Sequence, residues 1–421
     1  MKSFIWLRPD WLSRSWWSAV WSVNGFFLLA TVVFAYVPRS SSSQRQGIVQ
    51  YLAQFTLAEE RNLATYWEGW CLLLVSLLAF ERFLESNKTV SHERQSWLGL
   101  SVLAAGLSID EFGSIHERAR LLFSWWGLSG RMSALIPLAL PVFLILTFTL
   151  QRMWSVVDRS RFWLTLSAFI LFGSVALQEY LEHAVAWPWW ALGIRVGIEE
   201  GTELIGVFLL LYVAVSAGGH AGKLRSAADL VPRPETLAGL RPVVVFITLS
   251  SFVPLGVVSA FVMTDVNHRG TPAAWLPFML LNLSWMAAWV YARNEGLYAK
   301  RLLLVCLLAL FFSLDQILVF ERITDKNLVR SGLGNLMFPC MAVASLAIPT
   351  LRTLPNFIVL GMLLPLNVLL FFPSEFLPWF VLPLQSLGIF WAVTSALPEV
   401  GADARRVNRC SVTAPSLRAS T

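Results

Sequence analysis

Four ionisable side chains stand within eight residues at the end of an apolar run that begins near Trp97: Asp110, Glu111, His116 and Glu117. Ionisable groups in a segment that otherwise resembles a membrane-spanning helix are costly to bury, so they suggest a functional site. At about 100° per residue, Asp110 and Glu117 share one helix face, and their two neighbours flank it. The stretch is predicted to bind a ligand, although His116 and Glu117 are also explained as interfacial groups.

A second polar group lies near the end of a later apolar run, where Glu179, Glu182 and His183 stand at positions i, i+3 and i+4. Residues at this spacing share one face of a helix. The sequence Trp-Pro-Trp-Trp at 187–190 follows, and so short a connection makes the helices on either side antiparallel neighbours. The group is therefore predicted to lie beside the helix that comes next.

That next helix carries Arg195, Glu199 and Glu203 on one stripe, with Glu200 at its edge. It runs inward, whereas the two earlier groups lie at the outward ends of their helices. All three groups, together with Glu68 near the outer start of the second run, are predicted to lie in the outer half of a bilayer. Arg195 and Glu199, at i and i+4, are equally well explained as an ion pair within one helix.

So many carboxylates cannot all be buried and ionised without partners, because each bare charge would cost several kcal/mol. Shared protons or an aqueous vestibule would compensate them, but we prefer a bound metal. The set resembles in kind the carboxylate-rich sites of di-metal helical bundles, although their Glu-x-x-His spacing would need a histidine at position 182. The predicted ligands of a zinc, iron or manganese ion are Asp110, His116, Glu117, Glu179, Glu182, His183 and Glu199. The predicted catalytic acid–base residues are Glu111, Glu200 and Glu203.

The composition places these residues in a membrane protein. Of 421 residues, 56% are hydrophobic and only 14% are charged, whereas a soluble protein has about 25% charged residues. The net charge of +6 does not indicate nucleic acid, because the basic residues are distributed over short connections between apolar runs. The four cysteines have neither metal-ligand nor disulfide spacing, so no redox chemistry is predicted at cysteine.

Apolar runs long enough to span a bilayer occur twelve times, so the predicted fold is an all-α polytopic membrane protein with about twelve transmembrane helices. The runs are residues 16–37, 66–84, 96–117, 132–152, 161–186, 189–216, 241–263, 273–292, 299–320, 333–351, 355–373 and 376–397. The first run lacks a small-residue cleavage site and is predicted to be a retained span. Prolines from Pro349 onward interrupt the last runs.

The distribution of basic residues predicts the orientation. With the N-terminus inside, the inner segments carry roughly twice as many lysines and arginines as the outer segments, as the positive-inside rule requires. The predicted location is a bacterial-type inner (plasma) membrane, crossed many times, with both termini in the cytoplasm. The predicted partners are membrane lipids and a lipid or lipid-linked substrate, with no nucleic acid.

The chain is predicted to divide into two halves. Residues 1–219 form a first six-helix half with the polar site, 220–240 a cytoplasmic linker, 241–397 a second, degenerate six-helix half and 398–421 a cytoplasmic tail. The boundary rests on the long inner connection, which contains two prolines and several small residues.

A parallel 6+6 internal repeat is predicted to relate the halves. Residues 108–111 (Ser-Ile-Asp-Glu) align without gaps with residues 313–316 (Ser-Leu-Asp-Gln). An even number of helices between equivalent positions gives repeats related by an axis along the membrane normal. Because Glu111 corresponds to Gln316, only the first half is predicted to act on a ligand.

The longest outer connection, residues 38–65, contains Ile48, Leu52 and Phe55 at helical spacing. It is predicted either to lie on the outer membrane surface as an amphipathic helix above the site, or to be a solvated loop.

These patterns predict a metal-dependent membrane hydrolase or transferase that acts on a lipid or lipid-linked substrate near the outer leaflet. The alternative is a proton- or cation-coupled secondary transporter, which two sets of six helices would suit. A bis-histidine haem protein using His116 and His183 is a third reading, but so many carboxylates around a haem would be unusual.

Overall fold

All regular elements that the structure describes are helical. The computed structural model describes residues 11–36, 53, 55–57, 62–86, 91–116, 131–155, 159–184, 187–216, 243–246, 248, 250, 255, 274–294, 299–315 and 377–395. Within these ranges there are nine α-helices that we number, one turn of 3₁₀ helix, and no strand. The predicted all-α class is therefore confirmed for the described part of the chain.

The helices follow the predicted apolar runs closely. They are α1 (Trp11–Ala35), α2 (Leu63–Glu85), α3 (Ser91–Gly113), α4 (Arg131–Trp154), α5 (Arg159–Ala184), α6 (Leu192–Ser216), α7 (Trp275–Asn294), α8 (Ala299–Asp315) and α9 (Leu377–Ser395). The first six coincide with the first six runs, and the last three with the runs at 273–292, 299–320 and 376–397. The runs predicted at 333–351 and 355–373, and most of 241–263, lie outside the described residues.

Two described helices are long and apolar enough to cross a membrane by length and composition alone: Ser18–Ala35 within α1, and α2. Shorter apolar segments occupy Ala139–Trp154 and Leu303–Leu314. The described helices therefore do not support the predicted number of twelve spans. Helix α6 shows the reason, because it is 25 residues long but its apolar run contains Arg195 and three glutamates.

The chain forms two compact units. Unit 1 comprises Met1–Pro232, Phe252–Phe278 and Leu314–Leu333, so it holds α1 to α6 and the first turn of α7. Unit 2 comprises Arg233–Ser251, Met279–Ser313 and Gly334–Thr421. Every predicted site residue belongs to unit 1.

Helix α2 is the central element of unit 1. It packs against α3 and α6, while α4 packs against α3, and α5 packs against α4 and α6. Two serine hydroxyls join the antiparallel helices α2 and α3: Ser101 Oγ donates to the Ser76 carbonyl at 2.9 Å, and Ser108 Oγ donates to the Gly69 carbonyl at 2.8 Å. Such hydrogen bonds satisfy serine in an apolar interior.

Small residues let α1 and α6 approach each other closely. Glycines recur every four residues on the face of α6 that packs on α1, where Gly193 meets Tyr36, Gly197 meets Val32, and Gly201 meets Leu28. A Cβ atom at Gly197 would lie only 2.8 Å from Val32 Cγ2. Stripes of small residues at this spacing are typical of helix pairs in membranes.

The outer surface of unit 1 is apolar. On α4, exposed large apolar side chains follow one another along the helix: Ile136, Leu140, Phe143, Leu144 and Phe148. Helices α1, α5 and α6 add Trp21, Leu29, Trp163, Ile170, Leu177, Ile194 and Ile198. Soluble monomers rarely expose large contiguous apolar patches. This surface is suited to contact with lipid chains.

Unit 2 has a buried polar contact of its own between α7 and α8. Asn282 Nδ2 donates to Ser313 Oγ at 2.6 Å, and Trp285 Nε1 donates to Asn282 Oδ1 at 2.7 Å. The serine of the second matched tetrapeptide is thus hydrogen-bonded to the preceding helix, as Ser108 is in unit 1.

Candidate functional site

The Asp110 carboxylate and the His116 imidazole form a pair at the end of α3. Asp110 Oδ2 lies 3.1 Å from His116 Nδ1, and the backbone N–H of His116 donates to Asp110 Oδ1 at 2.8 Å. The side chains are 32% and 30% exposed, respectively. One carboxylate therefore fixes both the backbone and the ring of the histidine.

A chain reversal, not helical spacing, brings this pair together. Helix α3 ends at Gly113, and Ser114 has φ 49°, in the left-handed region. The Ile115 N–H donates to the Asp110 carbonyl at 3.4 Å, the 6→1 bond of the Schellman motif that ends many helices. The predicted continuation of the helix to residue 117 is therefore wrong beyond Gly113, because the backbone turns at Ser114.

The last turns of α3 are anchored from two sides. Ser108 Oγ donates to the Gly69 carbonyl of α2 and accepts from Trp275 Nε1 at 3.1 Å. Phe112 is fully buried, and its ring centroid lies 4.6 Å from that of Phe278 in the first turn of α7. These contacts fix the helix end that carries Asp110.

Glu68 is the most buried of the described carboxylates in the predicted polar layer. It precedes Gly69 on α2, and the residue is 2% exposed. The Ser108–Gly69 hydrogen bond places its turn beside the last turns of α3. In the sequence, Glu68 stands out as a glutamate inside an apolar run. That pattern predicted its place among the polar groups in the outer half of the bilayer, but it did not predict a role for it.

A hydrogen-bonded network joins α5 to α6 at the same end of unit 1. Arg195 Nη1 donates to Glu199 Oε2 at 3.0 Å, and the side chains are 12% and 14% exposed. Thr202 Oγ1 donates to the Glu199 carbonyl at 2.7 Å and accepts from Gln178 Nε2 of α5 at 3.2 Å. The intrahelical ion pair is confirmed, and Gln178 is a network member that the sequence analysis missed.

Glu203 lies on the interior side of α6. It precedes Val207 by four residues and Leu210 by seven, so the three share a helix face, and both apolar residues are buried in the core. The opposite face carries the exposed Ile198 and Ile205. Among the predicted acid–base residues, Glu111, Glu200 and Glu203 are all half-buried.

Contacts through α1 place the α2 and α6 groups at similar depth. Trp67 Nε1 of α2 donates to Asn24 Oδ1 at 2.7 Å, and Leu28 of α1 faces Gly201 of α6. Asn24 and Leu28 are one helical turn apart, about 6 Å. The turn that holds Glu68 therefore lies within about two turns of the glutamates of α6.

The remaining predicted ligands lie outside what the structure describes. Helix α5 includes Glu179, Glu182 and His183 in its last two turns, but their side chains are not among those described, and Glu117 follows the last described residue of its segment. The predicted pairing of α5 with α6 is confirmed. Pro188 opens a 3₁₀ turn, Trp189–Ala191, and the helices on either side pack as antiparallel neighbours.

Within the described residues, no group of three or more His, Cys, Asp or Glu side chains is placed to hold a metal ion. The Asp110 carboxylate contacts His116, and the Glu199 carboxylate contacts Arg195. A metal site would therefore combine described residues with the side chains at the end of α5. The predicted zinc, iron or manganese ion stays a prediction.

The described part of the outer connection is fastened to α1 and α2. Asn62 Oδ1 accepts from the Thr65 N–H at 3.0 Å and thereby caps α2, while Asn62 Nδ2 donates to the Ala53 carbonyl at 2.9 Å. The Leu57 N–H donates to Thr31 Oγ1 of α1 at 2.8 Å. The predicted helix through Ile48 and Leu52 lies outside the described residues, although Phe55 does pack on Phe26 of α1.

The comparisons with known proteins identify similarity over the first half of the chain. Residues 25–217 match a family model described as Domain of unknown function (DUF8692). The match begins within α1 and ends one residue after α6. No curated protein and no solved structure matches the chain.

Proposed function

We propose that the protein is an integral membrane enzyme, a metal-dependent hydrolase or transferase, that acts on a lipid or lipid-linked substrate at one end of its first six helices. The observation that carries the proposal is the pairing of Asp110 with His116. A carboxylate on Nδ1 fixes the tautomer and orientation of an imidazole, as it does for catalytic bases and for metal-bound histidines.

Membrane insertion is supported by three features of unit 1. Ser18–Ala35 and α2 are long and apolar enough to cross a bilayer. The outward faces of α1, α4, α5 and α6 carry exposed aromatic and aliphatic side chains. The glycine stripe of α6 brings α1 close, as in membrane helix pairs. In this setting the polar groups at one end of the unit would lie near the outer leaflet, within reach of lipid headgroups.

The residues of the site have different proposed roles in proton transfer, metal binding and support of α6. With Asp110 on Nδ1, Nε2 is the ring nitrogen through which His116 would accept a proton or bind a metal. Glu203, on the interior side of α6, is the proposed acid–base residue. Glu199 is held by Arg195 of the same helix, so its first role is to neutralise that arginine within α6. A metal bound with Glu179, Glu182 and His183 would polarise the group under attack.

The twelve-span topology with two parallel six-helix halves and cytoplasmic termini remains part of this proposal. Two observations support it. The matched family model covers the first predicted half and stops at the end of α6. In each half the serine of the matched tetrapeptide, Ser108 or Ser313, is hydrogen-bonded to the preceding helix.

Proton- or cation-coupled transport is the second candidate function, and the burial of Glu68 favours it. A carboxylate that is 2% exposed on the central helix α2 is suited to take up and release a proton during a transport cycle. In this alternative Asp110 and His116 would relay protons to the membrane surface.

One reconstitution separates the two functions. The purified protein is placed in vesicles made from total bacterial membrane lipids, and lipid products are followed by mass spectrometry while a pH-sensitive dye inside reports proton flux. The enzyme proposal predicts a product that wild type forms and the D110N variant forms far more slowly. A solute-dependent proton flux that E68Q abolishes, with no lipid turnover, would replace it with transport.

A further inference from the structure

Five arginines gather at the opposite end of unit 1, away from the candidate site. They lie at the last turns of α2 and α4 and the first turns of α3 and α5, and we call them the arginine cluster: Arg82, Arg94, Arg152, Arg159 and Arg161. Contacts connect these helix ends. Arg152 Nη1 lies 2.8 Å from His92 Nδ1, and Arg161 Nη1 lies 3.8 Å from Glu93 Oε1.

Four of these guanidinium groups lie over aromatic rings of neighbouring residues. The distances from Cζ to ring centroid are 4.5 Å for Arg94 over Phe83, 5.0 Å for Arg152 over Phe148, 5.4 Å for Arg159 over Trp154 and 5.2 Å for Arg161 over Trp97. Stacking attracts the cation to the ring face and leaves the edge of the guanidinium, with its N–H donors, for another partner.

Carboxylates neutralise only part of this charge. Arg82 is paired with Glu85, and Arg161 lies near Glu93. Among the described residues, no carboxylate pairs with Arg94, Arg152 or Arg159. The Nε atoms of Arg94 and Arg152 are buried and have no hydrogen-bond partner among the described residues.

Two general effects explain why arginines occur at these helix ends, but they do not explain how the side chains are arranged. Basic residues at the inner ends of spans determine how the chain is oriented in the membrane. Basic residues at a helix C-terminus are attracted to its partial negative charge. Neither effect needs four guanidinium groups oriented by aromatic rings on three adjoining helix ends. Arginine forks oriented in this way match the oxygens of a phosphate group.

We propose that the arginine cluster binds the phosphate headgroup of an anionic phospholipid in the leaflet facing the cytoplasm. The inference rests on the proposed membrane location, because that location puts these helix ends at headgroup depth. The exposed apolar side chains of α4, which ends in the cluster, would lie along the acyl chains. Charge attraction to an anionic surface strengthens the binding with each basic residue.

The test measures lipid binding and is independent of catalysis. The protein in mild detergent is titrated with phosphatidylglycerol or with phosphatidylcholine of the same chain length, and bound lipid is counted by native mass spectrometry. We expect preferential binding of phosphatidylglycerol, weakened about tenfold or more in the R94Q/R152Q variant. The R225Q/R233Q variant, with the same charge loss in the predicted inner connection, should bind as wild type does.

Further variants and a competition experiment distinguish a specific lipid site from general charge attraction and from a free-phosphate site. R94K keeps the charge but loses the planar fork, so it should bind phosphatidylglycerol more weakly than wild type. Equal binding of both lipids, or equal losses in R94Q/R152Q and R225Q/R233Q, would overturn the proposal. Displacement of the lipid by millimolar inorganic phosphate would assign the site to free phosphate instead. In the D110N background R94Q/R152Q should cause the same loss of phosphatidylglycerol binding, which separates this inference from the proposed catalytic site.

Discussion

The Asp110 carboxylate contacts both the backbone N–H and the ring Nδ1 of His116, across a chain reversal at Ser114. A carboxylate in the last turn of a helix is disfavoured by the partial negative charge of the helix C-terminus. Its hydrogen bonds to His116 offset that effect and place an oriented imidazole beyond α3. The relationship explains why an acid is present where a basic or neutral residue would stabilise the helix end better.

Replacing the carboxylate should separate orientation from charge. In D110N the amide can still accept from the His116 N–H, but it no longer presents an anion to the ring. We expect lipid-product formation by the reconstituted protein to fall about 10- to 100-fold, as when other histidine-orienting groups are removed. E85Q, at the opposite end of unit 1 and outside the candidate site, is the matched control for charge loss. Equal losses in both variants would show that Asp110 acts through net charge alone.

The Arg195–Glu199 ion pair within α6 should stabilise the folded protein. Because both side chains are mostly buried, removing one partner leaves the other charge poorly compensated, and E199Q should lower the free energy of unfolding by about 3 kcal/mol. The double variant R195M/E199L removes both charges and should be less destabilised than E199Q. Thermal unfolding in detergent, followed by circular dichroism, measures the three variants. Additive losses would contradict direct coupling between the two residues.

Two glycines on α3 offer a matched test of the helix packing. A Cβ atom at Gly99 would overlap Thr149 Oγ1 of α4, whereas a Cβ atom at Gly106 would meet no atom within 4 Å. G99A should therefore destabilise the protein, by about 1–3 kcal/mol for overpacking. G106A should be neutral or stabilising by up to about 1 kcal/mol, because alanine favours helix. A stable G99A variant would contradict the close approach of α3 and α4.

The positions of the helices could be predicted from the sequence because apolar runs of about 20 residues have few alternatives to helix. The reversal at Ser114 could not, since glycine or asparagine is the usual residue in the left-handed position that ends a helix. A helix continued through Ser114 therefore placed Asp110 on the same face as Glu117, and the contact with His116 was missed. The ion pair of α6 was predictable, because i, i+4 spacing within one helix needs no knowledge of packing.

The links between helices were beyond sequence reasoning for a different reason. Gln178 with Thr202, and Trp67 with Asn24, are polar contacts between residues far apart in the chain, and no local periodicity pairs them. The glycine stripe at 193, 197 and 201 did carry a signal, because small residues four apart are typical of close helix contacts.

The metal content of the purified protein tests the central claim most directly. The wild type, H116A and H183A are purified in detergent from metal-replete cells, and zinc, iron and manganese are measured by inductively coupled plasma mass spectrometry. The proposal predicts about one metal ion or more per wild-type chain, and a large loss in both variants with helical content unchanged. A wild-type protein that contains no more of these metals than the two variants would contradict a metal-dependent site at Asp110 and His116.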